Sequence, residues 1–237
     1  MNLLLLEPAD FTDTPGQHIR LTGRRHEHMR SVCHVQAGST LRVGLINGTL
    51  GTATVTVVKT DYIECTVSLG DPPPPPLPLT LILAMPRPKS LKKALETASA
   101  LGIKKIYLIE TWRVEKSYWT SPVLKTESLN KHLLLGLEQG RDTIVPEISI
   151  RRRFKPFFED ELEAIAEGSL KLAAHPYDAT SCPFNVSQQV TLCIGPEGGF
   201  IPYEIEKLKE IGFSPVTIGE RILRVETALA AFAGRLW

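Results

Sequence analysis

The sequence predicts an α/β protein: a parallel sheet covered by helices on both faces, preceded by a small β-barrel. Three observations lead there. A proline run, Asp71-Pro72-Pro73-Pro74-Pro75-Pro76-Leu77-Pro78, divides the chain. Before it, short β-branched segments alternate with turn signals, as in small barrels. After it, short apolar runs alternate with helical stretches, the pattern of a parallel sheet with crossover helices.

The first region spans residues 1–71. Leu3–Leu6 is an apolar run soon broken by Glu7 and Pro8, too short for a signal-peptide core or a membrane span, and is expected to be the first strand. A helical stretch is expected near Arg24–His34. Leu41–Ile46 runs into Asn47-Gly48, a strong hairpin-turn dipeptide. Thr52–Val58 and Tyr62–Leu69 alternate as strands on either side of a turn at Thr60-Asp61. Residues 72–78 lack most backbone donors and have fixed φ, so they read as an extended linker of roughly 20 Å at about 3.1 Å per residue.

Residues 79–237 form the second region. Strands are expected at Leu79–Met85, Lys105–Ile109, Leu170–Ala174, Val190–Ile194 and Pro215–Ile218. Helices are expected at Ser90–Leu101, with Leu91, Ala94, Leu95, Ala98 and Leu101 on one face and Gly102 ending it, and at Glu127–Gln139, Glu159–Glu167, Pro202–Ile211 and Glu226–Trp237.

Composition bounds the function. The 43% hydrophobic and 22% charged residues are those of an ordinary globular protein, and a net charge of +1 does not announce a nucleic-acid partner, so any RNA contact must rest on local patches. Cys33, Cys65, Cys182 and Cys193 form no C-x-x-C pair, which fits buried thiols in a reducing, cytoplasmic setting better than disulfides or zinc.

Two segments carry chemistry. Ile194-Gly195-Pro196-Glu197-Gly198-Gly199-Phe200 follows an apolar strand and precedes a helix, where ligands of parallel sheets collect and where glycine permits close backbone approach. It is either such a ligand loop or only a tight strand-to-helix turn. It is neither a P-loop nor G-x-G-x-x-G, and a Rossmann-type methyltransferase would carry its glycines after the first strand. Ile218-Gly219-Glu220-Arg221-Ile222-Leu223-Arg224-Val225-Glu226-Thr227-Ala228 runs from a strand end into the last helix, where Glu226 or Thr227 could also serve simply as a helix-terminus charge or cap.

Together these motifs resemble the ribosomal RNA small subunit methyltransferase E family, which methylates uracil N3 in 16S ribosomal RNA and belongs to the knotted SPOUT class. The resemblance covers most of the chain: Gly23–Gly44 resembles the family's N-terminal PUA-like barrel, Leu101-Gly102-Ile103 the end of its first α/β helix, and Glu138-Gln139-Gly140-Arg141 with Pro146 its mid-domain motif. Val32-Cys33-His34, Ala100 and Glu115-Lys116-Ser117 depart from common family wording and mark a divergent branch.

The resemblance implies a C-terminal trefoil knot and S-adenosyl-L-methionine as cofactor. It implies cofactor contacts at Ile194, Gly195, Pro196, Glu197, Gly198, Gly199, Ile218, Gly219, Leu223, Thr227 and Ala228, with the loop after Lys105–Ile109 as a third wall. A homodimer and the small ribosomal subunit as substrate are implied too. Uracil N3 bears a proton at neutral pH, so methyl transfer needs a proton acceptor or stabilisation of the base anion. Arg224 is the candidate for stabilising charge on the uracil carbonyls, and Glu226 for taking the proton or orienting that arginine. No metal is required. N3 lies on the Watson–Crick edge, so the target must be unpaired or flipped out.

Candidate RNA contacts are Arg20, Arg24, Arg25 and Arg30 in the first region; Arg113 and Lys116, near Trp119, on a loop; and Arg152 and Arg153 beside Phe154 and Phe157. Each cluster reads equally as a solvated charged face. The competing readings are a knotted methyltransferase acting on another RNA, such as a transfer-RNA ribose, and a non-catalytic RNA-binding assembly factor.

Overall fold

In the computed structural model, which describes residues 2–13 and 16–237, the chain divides into two compact units. One comprises residues 1–75 with Leu134–Val145, the other Pro76–Leu133 with Pro146–Trp237.

The first unit holds strands β1 (Leu4–Leu6), β2 (His18–Leu21), β3 (Thr40–Leu45), β4 (Leu50–Val58) and β5 (Ile63–Asp71), with helix α1 (Gly23–Ser31). They form one five-stranded sheet in the order β1-β3-β4-β5-β2. Only β1–β3 is parallel; the other pairs are antiparallel. Asn47 adopts φ +57, the left-handed conformation tolerated by asparagine, and closes the β3–β4 hairpin at the Asn47-Gly48 turn. Alternation along β4 buries Gly51, Ala53 and Val55. Gly51 leaves room for β5: a Cβ there would lie 1.9 Å from the Ser68 carbonyl oxygen. The core joins Leu4, Leu6, Ile19, Leu21, Val43, Val55, Ile63 and Val67 with Met29 from α1.

Sequence reasoning assigned residues 134–145 wholly to the C-terminal region, whereas they pack with this first unit. Leu137 is fully buried in a second cluster with Leu3 and Leu5, the Thr143 hydroxyl donates to the Gly48 carbonyl (2.5 Å), and the Asn47 amide donates to the Thr143 carbonyl (2.9 Å). The apolar period of that helix is equally compatible with either core, so periodicity could not place it. The strand β2 is also absent from the sequence reading, because His18 and Arg20 occupy its exposed face.

The second unit contains β6 (Leu79–Ala84), α2 (Pro88–Ala100), β7 (Lys105–Ile109), the first half of α3 (Thr126–Gly140), β8 (Glu147–Arg151), α4 (Phe154–Pro156), a π turn (Phe157–Glu161), α5 (Leu162–Ile165), β9 (Leu170–Ala174), β10 (Thr180–Ser181), β11 (Val190–Ile194), α6 (Pro202–Glu210), β12 (Ser214–Thr217) and α7 (Val225–Leu236). Its seven-stranded sheet has the order β10-β12-β9-β11-β6-β7-β8, with every pairing parallel. The central strands β6 and β11 are buried along their whole length, which is why they read as apolar runs broken only by Thr80 and Thr191.

Helix α2 starts with Pro88 in its first turn and buries Leu91, Ala94, Leu95 and Ala98. Gly102, at φ +81, ends it, and its carbonyl accepts the Leu77 amide (2.9 Å). The last residues of the proline run therefore belong to this unit rather than to a free spacer: the Pro78 carbonyl likewise accepts the Val190 amide (2.9 Å). Helix α7 buries Val225, Leu229, Phe232, Ala233 and Leu236 and packs on α2. The expected helix at Glu159–Glu167 begins earlier, at Phe154, and passes through the π turn. β8 was not anticipated, its face being only partly buried.

Cys65, Cys182 and Cys193 are buried, and burial raises their thiols, Cys65 to about 11. Cys33 is exposed, just beyond α1, so the expectation of four buried thiols fails there. No described helix is long and apolar enough to cross a membrane, and no cluster of potential metal ligands occurs among the described residues.

Candidate active site

Parallel strands end together at one edge of their sheet, and the loops that follow them meet there. In the second unit the loops after β9, β11 and β12 meet, with Arg113 from the loop after β7, around a cleft of about 450 Å³.

The glycine loop after β11 is one wall. A Cβ on Gly195 would lie 3.1 Å from the Phe200 amide nitrogen, so any side chain there would require the loop to give by a few tenths of an ångström. Gly199 adopts φ +71, and its amide donates to the Pro196 carbonyl (2.8 Å). Two neighbours hold the loop from outside. The Arg113 guanidinium donates to the Gly198 carbonyl, and the Glu197 carboxylate accepts the Arg87 amide (3.0 Å). Arg87 is itself engaged by the Tyr118 phenol, whose hydrogen bond raises the guanidinium, while burial raises the phenol.

Glu204, in the first turn of α6, completes this frame. Its buried carboxylate accepts the Ile201 amide through Oε2 (2.9 Å) and the Trp112 amide through Oε1 (2.7 Å), tying the loop after β7 to the helix that follows the glycines. Sequence reasoning missed Glu204. Its signal was present: a proline at the first helical position and a glutamate two residues later is capping-box spacing.

The segment after β12 forms the facing wall. Gly219 sits at φ +140, and Ile222 and Leu223 are 74% and 37% exposed. Ile218, Arg221, Ile222, Leu223, Val225 and Ala228 line the cleft.

The third wall, expected only from the loop after β7, also comes from Ala174–Asp178 after β9. There His175 Nδ1 is buried without a hydrogen-bond partner. Burial pushes this imidazole below its ordinary value, against the pull of Asp178 and with a further push from Lys209 and Arg113. The signal for His175 was its position at the C-terminal end of an apolar parallel strand.

Of the expected cofactor residues, Ile194, Gly195, Pro196, Glu197, Gly198, Gly199, Ile218, Leu223 and Ala228 line the cleft; Gly219 and Thr227 flank it without lining it. Arg224 precedes the first residue of α7 and is exposed; Glu226 lies in that helix's first turn, with Oε2 buried and unpartnered. Among the described residues no ion pair joins the two. Their neighbour Val225 lines the cleft.

The expected RNA-contact residues divide. Arg113 lines the cleft, and Lys116 begins a short 3-10 turn nearby. Arg152 lies over the Trp119 ring (5.5 Å), and Arg153 is exposed. In the first unit, Arg25 makes a two-pronged ion pair with buried Asp10 (2.6 Å), a bracing role. Arg20 pairs with Glu64 (2.7 Å) and lies over Tyr62, Arg24 pairs with Glu138 (3.3 Å), and Arg30 is exposed.

In the second unit the ends of the parallel strands thus enclose a glycine-walled cleft whose lining includes Arg113, Glu197 and Glu206. Residues 73–237 match the RNA methyltransferase domain family, and the chain belongs to that family. It is similar to the ribosomal RNA small subunit methyltransferase E of Treponema pallidum, with 28% identity over 236 residues covering 98% of this chain and 88% of the relative. It is 29% identical over 148 residues to ribosomal RNA small subunit methyltransferase E 1 of Borreliella burgdorferi, covering 61% and 60% of the two chains. Among solved structures, the S-adenosyl methionine-bound methyltransferase E of Neisseria gonorrhoeae shares the fold, with a TM-score of 0.74, 22% identity and coverage of 98% and 95%.

Proposed function

We propose that this chain uses S-adenosylmethionine to methylate N3 of a uridine in small-subunit ribosomal RNA. The observation that carries the reading is the cleft walled by Ile194–Phe200 and Ile218–Ala228, in a chain alignable to a small subunit methyltransferase E over 98% of its length.

The residues fit that cofactor. The cleft lies within the roughly 300–1,000 Å³ of small-molecule sites. Ile194, Val225, Ala228 and Phe232 offer apolar walls for an adenine ring, Gly195 leaves the backbone open to close approach, and His175 Nδ1 supplies a buried polar group without a partner. When bound, the sulfonium supplies an electrophilic methyl group.

The chain's own residues would do the rest. Glu226, in the first turn of α7, keeps one buried carboxylate oxygen without a hydrogen-bond partner, and that oxygen would accept the N3 proton. Arg224, exposed just before that helix, would stabilise negative charge on the uracil carbonyls. Arg113 and Glu204 keep the glycine wall in place while the base enters.

The same reading takes residues 1–71 as a PUA-like RNA-binding barrel and residues 72–78 as the connection. Residues 79–237 are then a SPOUT domain with a trefoil knot, working as a homodimer in the cytoplasm. The knot's support is the sheet order, in which β12 lies beyond β9 while the next helix, α7, packs on α2 after β6. The first unit's five strands with one helix support the barrel.

The test is transfer of labelled methyl groups to small ribosomal subunits lacking the modification, followed by primer extension. Label with one new stop at a uridine is the expected result. Label on transfer RNA alone would redirect the substrate. Absence of both transfer and cofactor binding would leave an RNA-binding protein.

A further inference from the structure

Trp112 is 81% exposed, more than any other large hydrophobic side chain among the described residues. Tryptophan is rarely so exposed without a partner to cover it. Its backbone is nevertheless held in place: the Trp112 amide donates to the buried Glu204 carboxylate (2.7 Å). The residue beside Glu204 is Tyr203, 44% exposed, with its ring 6.3 Å from Phe154 and Lys207 Nζ 5.9 Å from its centre. Each exposed ring is one residue from the cleft, because Arg113 and Pro202 both line it.

We infer that Trp112 and Tyr203 form a stacking shelf at the rim of the cleft for unpaired nucleotides beside the target base. The inference rests on the proposed function and adds the form of RNA the second unit takes. Chemistry favours RNA over a protein partner. Trp112 is followed in the chain by Arg113 and the Tyr203 ring lies against Lys207, and rings interleaved with cations are how single strands are held without base pairing. The buried Glu204 carboxylate holds the Trp112 and Ile201 amides without lining the cleft, so the backbone that carries the Trp112 ring is anchored to the helix that carries Tyr203. A duplex keeps its bases stacked on each other and offers no face to Trp112.

The test compares binding of a short single-stranded RNA and its duplex by the full chain, read by anisotropy and by quenching of tryptophan fluorescence. Trp112→Ala should weaken single-strand binding about tenfold, and Tyr203→Ala somewhat less. Trp112→Phe should keep most of the affinity. Cofactor binding should be unchanged in all three, which shows that they fold. Equal single-strand affinity of wild type and Trp112→Ala would overturn the shelf while leaving the methyltransferase reading intact. So would a change in oligomeric state on sedimentation with RNA binding unaltered, because the ring would then belong between two copies of the chain. A wild-type chain that binds neither RNA nor cofactor would overturn both.

Discussion

The two principal walls of the cleft are built in opposite ways. The glycine wall is fastened at nearly every residue: Pro196 and Phe200 are buried, Glu197 holds the Arg87 amide, and Gly198 is held by Arg113. Along the facing wall, Glu220, Arg221, Ile222, Leu223 and Arg224 are all exposed, and the Thr217 hydroxyl bonded to the Gly219 carbonyl (2.8 Å) is a contact within the segment itself. In the proposed function, the first wall is the fixed seat for the cofactor. The other presents side chains outward, where a macromolecular substrate would meet them. Affinity for the cofactor should therefore reside mainly in the first wall, and turnover in the second.

Substitutions can break that division. The largest effect is expected from Glu226→Gln, which keeps shape and removes the proposed proton acceptor. Turnover should fall by about 10²–10⁴-fold while calorimetry finds cofactor affinity unchanged. Arg224→Ala should reduce single-turnover methyl transfer by about 10²–10³-fold, and denaturant unfolding should shift by less than about 0.5 kcal/mol. If either variant instead loses cofactor binding, the division between walls is wrong.

Gly195→Ala acts on the fixed wall. Its new Cβ meets backbone at 3.1–3.3 Å, and overpacking of this kind costs about 1–3 kcal/mol, so cofactor affinity should fall roughly ten- to hundredfold. Arg113→Ala frees the Gly198 carbonyl, and a lost charged hydrogen bond of about 1.5 kcal/mol should weaken cofactor binding roughly tenfold. Retained affinity in Arg113→Ala would show that the loop holds its shape unaided.

The smallest effect concerns pH. Burial holds His175 below its ordinary value of 6.5, so the unfolded chain takes up this proton first as pH falls. The stability contributed by the neutral ring is complete above that ordinary value and is lost as pH drops through the lowered folded-state value. Urea unfolding across this window should show a slope that His175→Gln reduces.

Much of this was legible in the chain. Leu79–Ala84 and Val190–Ile194 announce themselves because a strand buried on both faces is mostly apolar, each here with a single buried threonine, Thr80 and Thr191. In the glycine loop, Gly195 packs close to the Phe200 backbone and Gly199 holds a positive φ, so the residue types there carry a local reason; the largely exposed Ile218–Ala228 segment was legible only through its resemblance to a family. Glu204 and His175 were less visible. Each has an ordinary local role, in capping a helix or following a strand, and matters here through partners far along the chain: Glu204 through Trp112, His175 through the cleft. The same holds for Leu137, whose helical period is satisfied by any apolar surface and whose actual partners are Leu3 and Leu5.

The order of strands in the second unit also governs how the chain can assemble. Leu79–Ala84 pairs on one side with Lys105–Ile109, a near neighbour in sequence, and on the other with Val190–Ile194. During synthesis the first strands emerge with one flank of β6 unmatched, a largely apolar edge of the kind that invites aggregation. Closing it requires a loop of more than a hundred residues, and sheets dominated by such distant parallel pairings fold slowly. Refolding of the second unit should thus be governed by the arrival of its last third. A nascent chain released before residue 194 would expose the segment that forms the centre of the finished sheet.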